Sequence, residues 1–540
     1  MFRRKNKWLV LVVTIILAMG LVVTGCGTSG ETSETPQKEM KMSWNPGAEP
    51  KTLDPQMSSG IPEAIIELSL FEGLTRLDEN SNPIAGVAES WDISDDMMTY
   101  TFHLRDSQWN DGTPVKASDF KFAWMRALDP ANAAEYSYQL WYIKNGQAFT
   151  EGTAKAEDVG IEVIDDKTLK VTLEAPTPYF LSLTAFPTYF PVSEANVTAN
   201  PEWNLAPETF VSNGPFKMQT WSHNDKIVTV KNDKYWDADA VQLTELTFSL
   251  IEDPKSALTA FEAGQLDGTD NIPTQDIDRL KADGTLITSP YLGTYYYMFN
   301  TTKEPFNDER VRQAFTMAID RQKLIDNVVK GGQTPAYSFV PGGIPDAEAG
   351  KTFREVGGDY YTEDVEKAKQ LLADAGYPNG EGFPEVTLLY NTSTNHQVIA
   401  EALQDMWATN LGVTVKLTNQ EWKVYLESRN TLSFDIARAG WIGDYVDPMT
   451  FMDMWVADSG NNDTGYANPE YDKLIDTAKK TGDQAVRMQA MHDAEKILME
   501  ELPIMPIYFY VNNYVASDKV SGVVRSPLGF IDFKYATKAE

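Results

Sequence analysis

The sequence predicts an α/β fold divided among several domains, and two observations carry that prediction. Residues 385–390 have the pattern of a strand, residues 397–409 that of a helix, and residues 413–417 that of a second strand. This order is typical of an α/β unit with a parallel pair of strands. The 540 residues, 42% of them hydrophobic, also suffice for several cores at roughly 100–200 residues per domain.

Two other segments show that strands and helices are mixed along the chain. Residues 161–164 and 168–173 alternate between apolar and polar side chains on either side of a polar turn, which predicts a β-hairpin. Residues 363–375 predict a helix that Thr362 caps and that ends before Gly376.

The N-terminal residues have the three parts of a secretory signal. Four basic residues occur within positions 3–7, an almost purely apolar run follows at 8–23, and small residues precede Cys26. Cys26 is the only cysteine, so no disulfide explains it, and its position resembles the lipobox of bacterial lipoproteins. We therefore expect a signal peptide at 1–25, lipidation (palmitate) at Cys26 and a flexible polar tether at 26–39. The alternatives are a plain signal peptide and an uncleaved membrane helix.

The strongly acidic composition argues against one class of partner. The formal charge of −32 becomes −36 once residues 1–25, with four positive charges and no acids, are removed. We expect no nucleic-acid binding, because phosphate contacts need clustered lysine and arginine. Beyond residue 25 no apolar run approaches the roughly 20 residues of a membrane span, so the body of the chain is expected to be tethered rather than inserted.

No motif for catalysis or metal binding is present. The four histidines are not at metal-ligand spacing, and no thiol remains for a nucleophile. The sequence has no Gly-x-Ser-x-Gly elbow, phosphate loop or dinucleotide fingerprint. The paired acids at 95–96 and 165–166 have turn-like neighbours, which favours solvated turns. We predict no enzyme activity, no catalytic residue, no cofactor and no metal.

Residues 437–445 carry the strongest binding signal. They place Arg438, Trp441 and Asp444 within seven residues, with two glycines between them. In an extended segment Arg438 and Gly440 point to one side and Trp441 to the other, and glycine lets a ligand backbone come close. A positive end, an apolar wall and a negative end suit a zwitterion with an apolar middle, such as a short peptide.

At this point the chain resembles a known family, the extracytoplasmic solute-binding proteins of oligopeptide ABC transporters (the OppA-like class of bacterial solute-binding protein family 5). The matching segments occur in order over nearly the whole chain after the signal. They are KTLDP at 51–55, LFEGL at 70–74, AESW at 88–91, TFHLR at 101–105, WNDGTPV at 109–115, NGPF at 213–216, PFND at 305–308, RVR at 310–312, AIDR at 318–321, LYNTS at 389–393, NQEW at 419–422 and the stretch 437–445.

The resemblance implies a type II-like periplasmic-binding-protein fold, in which two lobes close on a ligand around a hinge, with one additional domain. It implies a monomer that captures short peptides outside the cell and passes them to ABC transporter permease subunits. The expected location is the extracytoplasmic face of the cell membrane, reached through the lipid on Cys26. The implied boundaries are 40–72, 195–292 and 512–540 for the first lobe, 73–194 for the additional domain and 293–511 for the second lobe.

The resemblance also implies a set of ligand-binding residues. Asp444 matches the aspartate that binds the peptide's α-ammonium, and the segment from Gly440 to Ile442 matches backbone that adds strand-type hydrogen bonds to the peptide. The remaining matches are Arg438, Arg429 and His396, which meet the peptide carboxylate at different ligand lengths, Trp422 and Trp441, which line side-chain pockets, and Tyr296 and Asn391, which lie on the ligand side.

Two departures from the family leave the ligand open. Ser59 stands where some relatives have a glutamate that faces the ligand, and Val329 stands where some have a lysine, with Lys330 one place further on. A murein peptide and a signalling peptide therefore stay as alternatives, as do the nickel complexes, haem and sugars that relatives carry. A tethered hydrolase and an adhesin or chaperone are alternatives of other classes, and no motif supports either.

Overall fold

A mixed sheet of 11 strands extends across the molecule. The computed structural model describes residues 39–540. Outside this range lie the predicted signal peptide, Cys26 and all of the predicted tether except Glu39.

In chain order the strands are β1 (Lys41–Asn45), β2 (Thr75–Leu77), β3 (Pro83–Ala85), β4 (Ala88–Ile93), β5 (Thr99–Leu104), β6 (Ile161–Asp165), β7 (Thr168–Thr172), β8 (Phe216–Ser222), β9 (Lys226–Lys231), β10 (Glu245–Ser249), β11 (Gly268–Thr269), β12 (Ile287–Phe299), β13 (Thr334–Pro335), β14 (Thr387–Asn391), β15 (Lys416–Gln420), β16 (Ile436–Ile442), β17 (Ile504–Ala516), β18 (Val520–Ser521), β19 (Val524–Arg525), β20 (Ile531–Asp532) and β21 (Thr537–Lys538).

The α-helices lie on and between these strands. They are α1 (Ile61–Leu70), α2 (Ala117–Leu128), α3 (Gly146–Thr150), α4 (Phe180–Leu183), α5 (Glu194–Ala199), α6 (Pro254–Glu262), α7 (Ile277–Ala282), α8 (Glu309–Met317), α9 (Arg321–Leu324), α10 (Phe353–Gly357), α11 (Val365–Asp374), α12 (Thr394–Leu411), α13 (Trp422–Asn430), α14 (Met449–Met452), α15 (Pro469–Lys479) and α16 (Gln484–Glu501).

Two long strands join the two halves of the large sheet. The strand order is β15-β14-β16-β12-β17-β11-β1-β10-β9-β8, with β13 paired to β17. We call β1 together with residues 216–286, which contain β8–β11, the first half. Residues 287–503, which contain β12–β16, are the second half. The 13-residue strands β12 and β17 pair with each other, and β17 continues to β11. Their pairing is interrupted between Pro290 and Thr294. The lobe boundaries predicted at 292/293 and 511/512 fall within these two strands.

A separate four-stranded antiparallel sheet forms in the segment predicted as the additional domain. Its order is β4-β5-β7-β6. The aromatic 3₁₀ segment Ser137–Tyr142 lies in the same part of the chain, and its buried side chains contact the second half, as described below for Asp444.

The local sequence predictions are largely confirmed. The hairpin is β6–β7, and β14, α12 and β15 form the predicted α/β unit with a parallel pair. The second strand starts three residues later than predicted, because Val413 and Val415 pack in the core before the strand begins. The paired acids at 95–96 and 165–166 are exposed at turns.

One predicted helix cap is wrong. Helix α11 is capped by Asp364, whose Oδ1 accepts a hydrogen bond from the backbone N–H of Lys367 at 2.9 Å. Thr362 lies outside the helix, and Glu363 accepts a hydrogen bond from the backbone N–H of Arg321 at 2.8 Å instead of starting the first turn. Asp364 caps the helix in place of Thr362, because aspartate is as good an N-cap residue as threonine and lies directly before the first helical residue.

Among residues 39–540, no helix combines the length and apolar character needed to cross a membrane.

Candidate functional site

A cleft between the two halves of the sheet consists of two adjoining chambers. One contains Asp444 and the other Arg438, and we name the chambers after these residues. They enclose about 850 Å³ and about 960 Å³ of space between protein atoms, open mouths included. Four residues line both chambers and so mark where they meet: Ile61, Trp422, Gly440 and Ile442.

Asp444 is a buried carboxylate held only by neutral groups. Oδ2 accepts hydrogen bonds from Gln139 Nε2 at 2.7 Å and Thr450 Oγ1 at 3.2 Å, and Oδ1 accepts one from the Tyr136 hydroxyl at 3.3 Å. Asp444 is only 6% exposed to solvent. Burial, and then the nearby charge of Asp453, raise the pKa of Asp444 well above its usual value. No cation pairs with it among the described residues, so a positively charged ligand group would relieve an unfavourable burial.

The loop that carries Asp444 is fixed from two sides. The backbone N–H of Asp444 donates to Thr450 Oγ1 at 2.9 Å. Asp447, in the same loop, forms a buried ion pair with Arg487 of α16, with Nη1 to Oδ2 at 2.8 Å. This pair connects the loop to a long core helix, so the carboxylate of Asp444 is held in place before any ligand arrives.

Arg438 is a cation with no carboxylate partner among the described residues. It lies on β16, where Arg438, Gly440 and Ile442 are partly exposed and line the chambers, and the alternating residues Ala439 and Trp441 are buried. Nη2 donates to the Tyr510 hydroxyl at 2.9 Å and Nη1 to Asn391 Oδ1 at 3.5 Å. The guanidinium lies 4.6 Å from the ring centroid of Tyr295. These neutral partners orient the guanidinium and leave its charge available.

The absence of a side chain at Gly440 makes room for the side chain of Tyr510, and not only for a ligand. A Cβ at this position would lie 2.4 Å from the Tyr510 hydroxyl oxygen and 3.3 Å from Arg438 Nη2. Tyr510 therefore reaches Arg438 across the space that the glycine leaves open.

His396 and Asn391 lie in the Arg438 chamber, where the resemblance placed them. His396 Nδ1 lies 3.2 Å from the Tyr295 hydroxyl. Burial, and then the charge of Arg438, lower the pKa of His396 well below its usual value, so the imidazole is neutral at pH 7. The cationic part of this chamber is thus Arg438.

Arg429 lies in the other chamber and is already paired. It lines the Asp444 chamber, and its Nη2 and Nε donate to Asp463 Oδ2 at 2.7 and 3.0 Å. The two side chains are 12% and 7% exposed. Its predicted contact with a peptide carboxylate would therefore compete with Asp463, and that contact stays a prediction.

Both predicted tryptophans line the cleft with buried indole N–H groups. Trp422 lies between the two chambers, and Trp441 lines the Asp444 chamber with its ring centroid 6.0 Å from that of Tyr136. Neither Nε1 meets the geometry of a hydrogen bond, although both are buried and that of Trp422 interacts with the Glu63 carboxylate. Each could donate to a ligand carbonyl.

Tyr296 is fully buried and lines neither chamber, so its predicted contact with a ligand stays a prediction. Its ring packs edge-on against Phe339 at 5.2 Å and Trp455 at 5.9 Å. It lies opposite Ala439 of β16, and its hydroxyl has no hydrogen-bond partner and interacts electrostatically with Arg429 and Asp463.

The two departures from the family have structural counterparts. Ser59 lines the Asp444 chamber beside Glu135, which forms an ion pair with Lys51 at 2.9 Å. The pKa of Glu135 is lowered, because Lys51 and the Ser59 hydroxyl outweigh the effect of its burial. The carboxylate of Glu135, from the segment predicted as the additional domain, thus lies next to Ser59, where some relatives have a glutamate. Lys330 lies outside both chambers and pairs with Asp278 at 2.8 Å.

The cleft is closed by contacts that join its two sides. The Asn395 side chain donates to the carbonyl of Ile272 at 2.7 Å and accepts from the backbone N–H of Thr274 at 2.9 Å. Lys281 Nζ donates to the carbonyl of Lys330 at 2.8 Å. Asn395 and Lys330 belong to the second half and their partners to the first, so the two halves are connected at more than one place.

Several residues of the site escaped the sequence analysis. Tyr136 and Gln139 lie in the segment predicted as the additional domain. The aromatic residues around them were the only feature of the sequence that could have indicated a binding role. Thr450, Tyr510 and Glu252 carried no signal in the sequence. No group of three or more histidine, cysteine, aspartate or glutamate side chains in residues 39–540 is arranged to hold a metal ion.

Known proteins that resemble this chain over most of its length all belong to one family. The family model for bacterial extracellular solute-binding proteins, family 5 middle, matches residues 82–463. The oligopeptide-binding protein OppA of Bacillus subtilis is 38% identical over 98% of this chain and 99% of its own. The dipeptide-binding protein DppE of the same organism is 41% identical over 87% of each chain.

The solved structures show both the fold and its conformation. The peptide-bound OppA of Listeria monocytogenes has a TM-score of 0.87 at 32% identity, covering 93% of this chain and 100% of its own. The murein tripeptide binding protein MppA of Escherichia coli has a TM-score of 0.87 at 37% identity, covering 93% and 99%. The unliganded open form of MppA has a TM-score of only 0.61 at 38% identity, covering 93% and 98%. Since identity hardly differs between the two MppA structures, the difference lies in conformation, and the present cleft is in a closed arrangement.

The predicted two-lobe α/β binding-protein fold is confirmed by these matches, and the prediction of a non-enzymatic transport component is confirmed by the family. The chain belongs to the bacterial extracellular solute-binding proteins of family 5.

Proposed function

We propose that this protein captures short peptides outside the cell in an extended conformation, with the α-ammonium on Asp444 and the α-carboxylate on Arg438, and delivers them to an ABC permease. The observation that carries the proposal is the pair of opposite charges, each without an ionic partner among the described residues, in adjoining chambers of one cleft. A zwitterion satisfies both at once.

The amino end is assigned by the environment of Asp444. Its three side-chain donors are neutral, so the carboxylate retains capacity for an ammonium. An isolated buried charge is costly, and a ligand cation that pairs with it gains from the low local dielectric. A sugar offers no such cation, so the geometry favours a peptide over a sugar.

The peptide backbone has an available strand edge. On one side β16 pairs with β12 along residues 436–442, whereas on the other side β14 pairs only with Ile436 and Ala437. The edge of β16 between the two chambers is therefore free of a strand partner, and an extended peptide could add to it. The five residues from Arg438 to Ile442 are joined by four steps of ~3.3 Å and so span about 13 Å, which suits ligands of roughly three to five residues.

The named ligands of the relatives support a peptide and leave its source open. The matched proteins are named for binding oligopeptides, dipeptides and a murein tripeptide. A murein-derived peptide fits the same pair of charges, and so does a signalling peptide. Mass spectrometry of the ligand that remains bound through purification would decide between these sources.

The decisive test of the proposal modifies both ends of one peptide. Calorimetry would compare tetra-alanine with its N-acetylated and its C-amidated forms on the wild-type protein. We expect each modification to weaken binding at least tenfold, because each removes one partner of a charge pair. Equal affinity for all three peptides would refute the assignment of the two chambers.

We also propose that Cys26 carries a lipid that holds the protein on the extracytoplasmic face of the membrane, and that the body acts as a monomer. The support is the signal-like leader and the single cysteine at its end. Cys26→Ser should release the protein into the medium and abolish incorporation of labelled palmitate, while peptide affinity stays unchanged. Unchanged incorporation of labelled palmitate into the serine variant would exclude Cys26 as the lipid site.

A further inference from the structure

We propose that Glu252 forms an acidic subsite that selects peptides with a basic side chain in their C-terminal half. The inference deepens the proposed function and rests on it, since it takes the peptide carboxylate to lie on Arg438. Glu252 was not among the residues that sequence reasoning identified. It follows β10 and precedes α6, on the first half of the molecule, so it faces Arg438 from the other side of the cleft.

Glu252 presents an unused acceptor to the chamber. It lines the Arg438 chamber, and its Oε1 is buried without a hydrogen-bond partner. A buried carboxylate oxygen with no donor is uncommon in folded proteins and indicates a place where a ligand group can bind. Asn271 Nδ2 donates to the backbone carbonyl of Glu252 at 2.7 Å, which fixes the loop, while the backbone N–H of Trp422 approaches the carboxylate.

The charges of the chamber leave Glu252 unbalanced once a peptide is bound. Asp270, the other acid of this chamber, is paired through both oxygens with Arg525 at 2.7 and 2.8 Å. The single cationic side chain that lines the chamber is Arg438, which the peptide carboxylate would neutralise. Within residues 39–540 no lysine or arginine forms an ion pair with Glu252, and the charged group that acts on it is Glu421. The remaining negative charge calls for a cation from the ligand.

The surroundings of Glu252 increase the benefit of such a cation. Burial, and then the charge of Glu421 on the opposite side, raise the pKa of Glu252 to about 7, and the backbone N–H of Trp422 opposes them only in part. An ammonium or guanidinium placed here would stabilise the anion. The walls beside Glu252 include Pro62, Tyr291 and Trp422, which suit the apolar stem of a lysine or arginine side chain.

The test is a charge scan on the intact protein. Lysine is placed at each position of tetra-alanine in turn and compared by calorimetry with norleucine, which has a similar stem without the charge. We expect lysine to bind at least tenfold more tightly than norleucine at the third or fourth position, because a hydrogen bond to a charged group contributes about that factor. Glutamate at that position should weaken binding.

Two variants attribute the preference to Glu252. Glu252→Gln should reduce the lysine preference over norleucine to below about threefold. Glu421→Gln is the matched control, since it removes a neighbouring negative charge from a residue that does not line the chamber, and it should keep most of the preference. Equal binding of the lysine and norleucine peptides to the wild type, or a preference that survives Glu252→Gln, would overturn the subsite alone. Absence of binding by every tetrapeptide would overturn the proposed function and the subsite with it.

Discussion

Asp444 and Arg438 are six residues apart in the chain and lie in adjoining chambers of one cleft, each bound only to neutral side chains. Strand β16 sets their separation, and Gly440 between them leaves room for Tyr510, which orients Arg438. One short segment therefore supplies both charges that a zwitterionic ligand requires.

The first prediction concerns the amino end of the ligand. Asp444→Asn removes the anion and keeps the side-chain size, so it should weaken tetra-alanine binding by about 2–5 kcal/mol, the usual loss when one partner of a buried charge pair is removed. Calorimetry with free and N-acetylated tetra-alanine completes a double-mutant cycle. The acetylation penalty should be large on the wild type and small on the variant. An identical penalty on both proteins would show that the ammonium binds elsewhere.

The second prediction concerns the carboxyl end. Arg438→Gln should weaken tetra-alanine binding by about 2–5 kcal/mol and should make the protein nearly indifferent to C-terminal amidation. Arg429→Gln is the comparison, because Arg429 is occupied by Asp463 in the Asp444 chamber. Its amidation penalty should match that of the wild type for tetra-alanine. Loss of the penalty in Arg429→Gln but not in Arg438→Gln would reverse the two roles.

The sequence predicted the fold better than it predicted the contacts of each site residue. The strand–helix–strand unit and the hairpin follow from periodicity, which local chemistry determines. The alternation of β16 likewise separated Arg438 and Gly440 from Trp441, as predicted. The family resemblance placed Asp444 and His396 at the cleft, but it could not show that Tyr296 is fully buried and lines neither chamber.

What escaped prediction depends on contacts between distant parts of the chain. Gln139 and Asp444 are 305 positions apart, and Arg429 and Asp463 are joined only by the fold. Glu252 lies in a short loop, where no periodicity distinguishes a binding residue from a solvated one. Its unpaired oxygen becomes visible only when the opposite side of the cleft is in place.

The third prediction concerns the contact that holds the cleft closed. Asn395→Ala removes two hydrogen bonds to the backbone of residues 272 and 274, which should reduce the stability of the closed state by about 1–3 kcal/mol. Small-angle scattering should then show a more open unliganded protein, and tetra-alanine should bind more weakly. Gln397→Ala serves as control, because the exposed Gln397 side chain on the same helix donates to Glu401 of that helix. Equal scattering and affinity in both variants would remove Asn395 from closure.

The fourth prediction concerns the close approach over Gly440. Gly440→Ala would place a methyl group 2.4 Å from the Tyr510 hydroxyl oxygen, so overpacking should lower the unfolding free energy by about 1–3 kcal/mol. Tyr510→Phe removes that hydroxyl, and the next ring atom is 3.3 Å from the added carbon. The double variant should therefore be less destabilised than the sum of the two single variants. Simple additivity in thermal unfolding would exclude this clash as the cause.

The fifth prediction concerns the pH dependence of stability in the unliganded protein. Glu63 is buried near Trp422, and burial is the main cause that raises its pKa from 4.5 to about 7. In the unfolded chain Glu63 loses its proton near its ordinary value, whereas the folded protein keeps the proton until about pH 7. Between these values the folded state binds more protons, so the unfolding free energy falls as pH rises, by on the order of 3 kcal/mol from this group. Glu63→Gln should make the decline of the melting temperature between pH 5 and 8 shallower. The exposed Glu89→Gln should leave it unchanged. A decline as steep in Glu63→Gln as in the wild type would mean that Glu63 is ionised in the folded protein throughout this range, and that its negative charge is already balanced within the cleft.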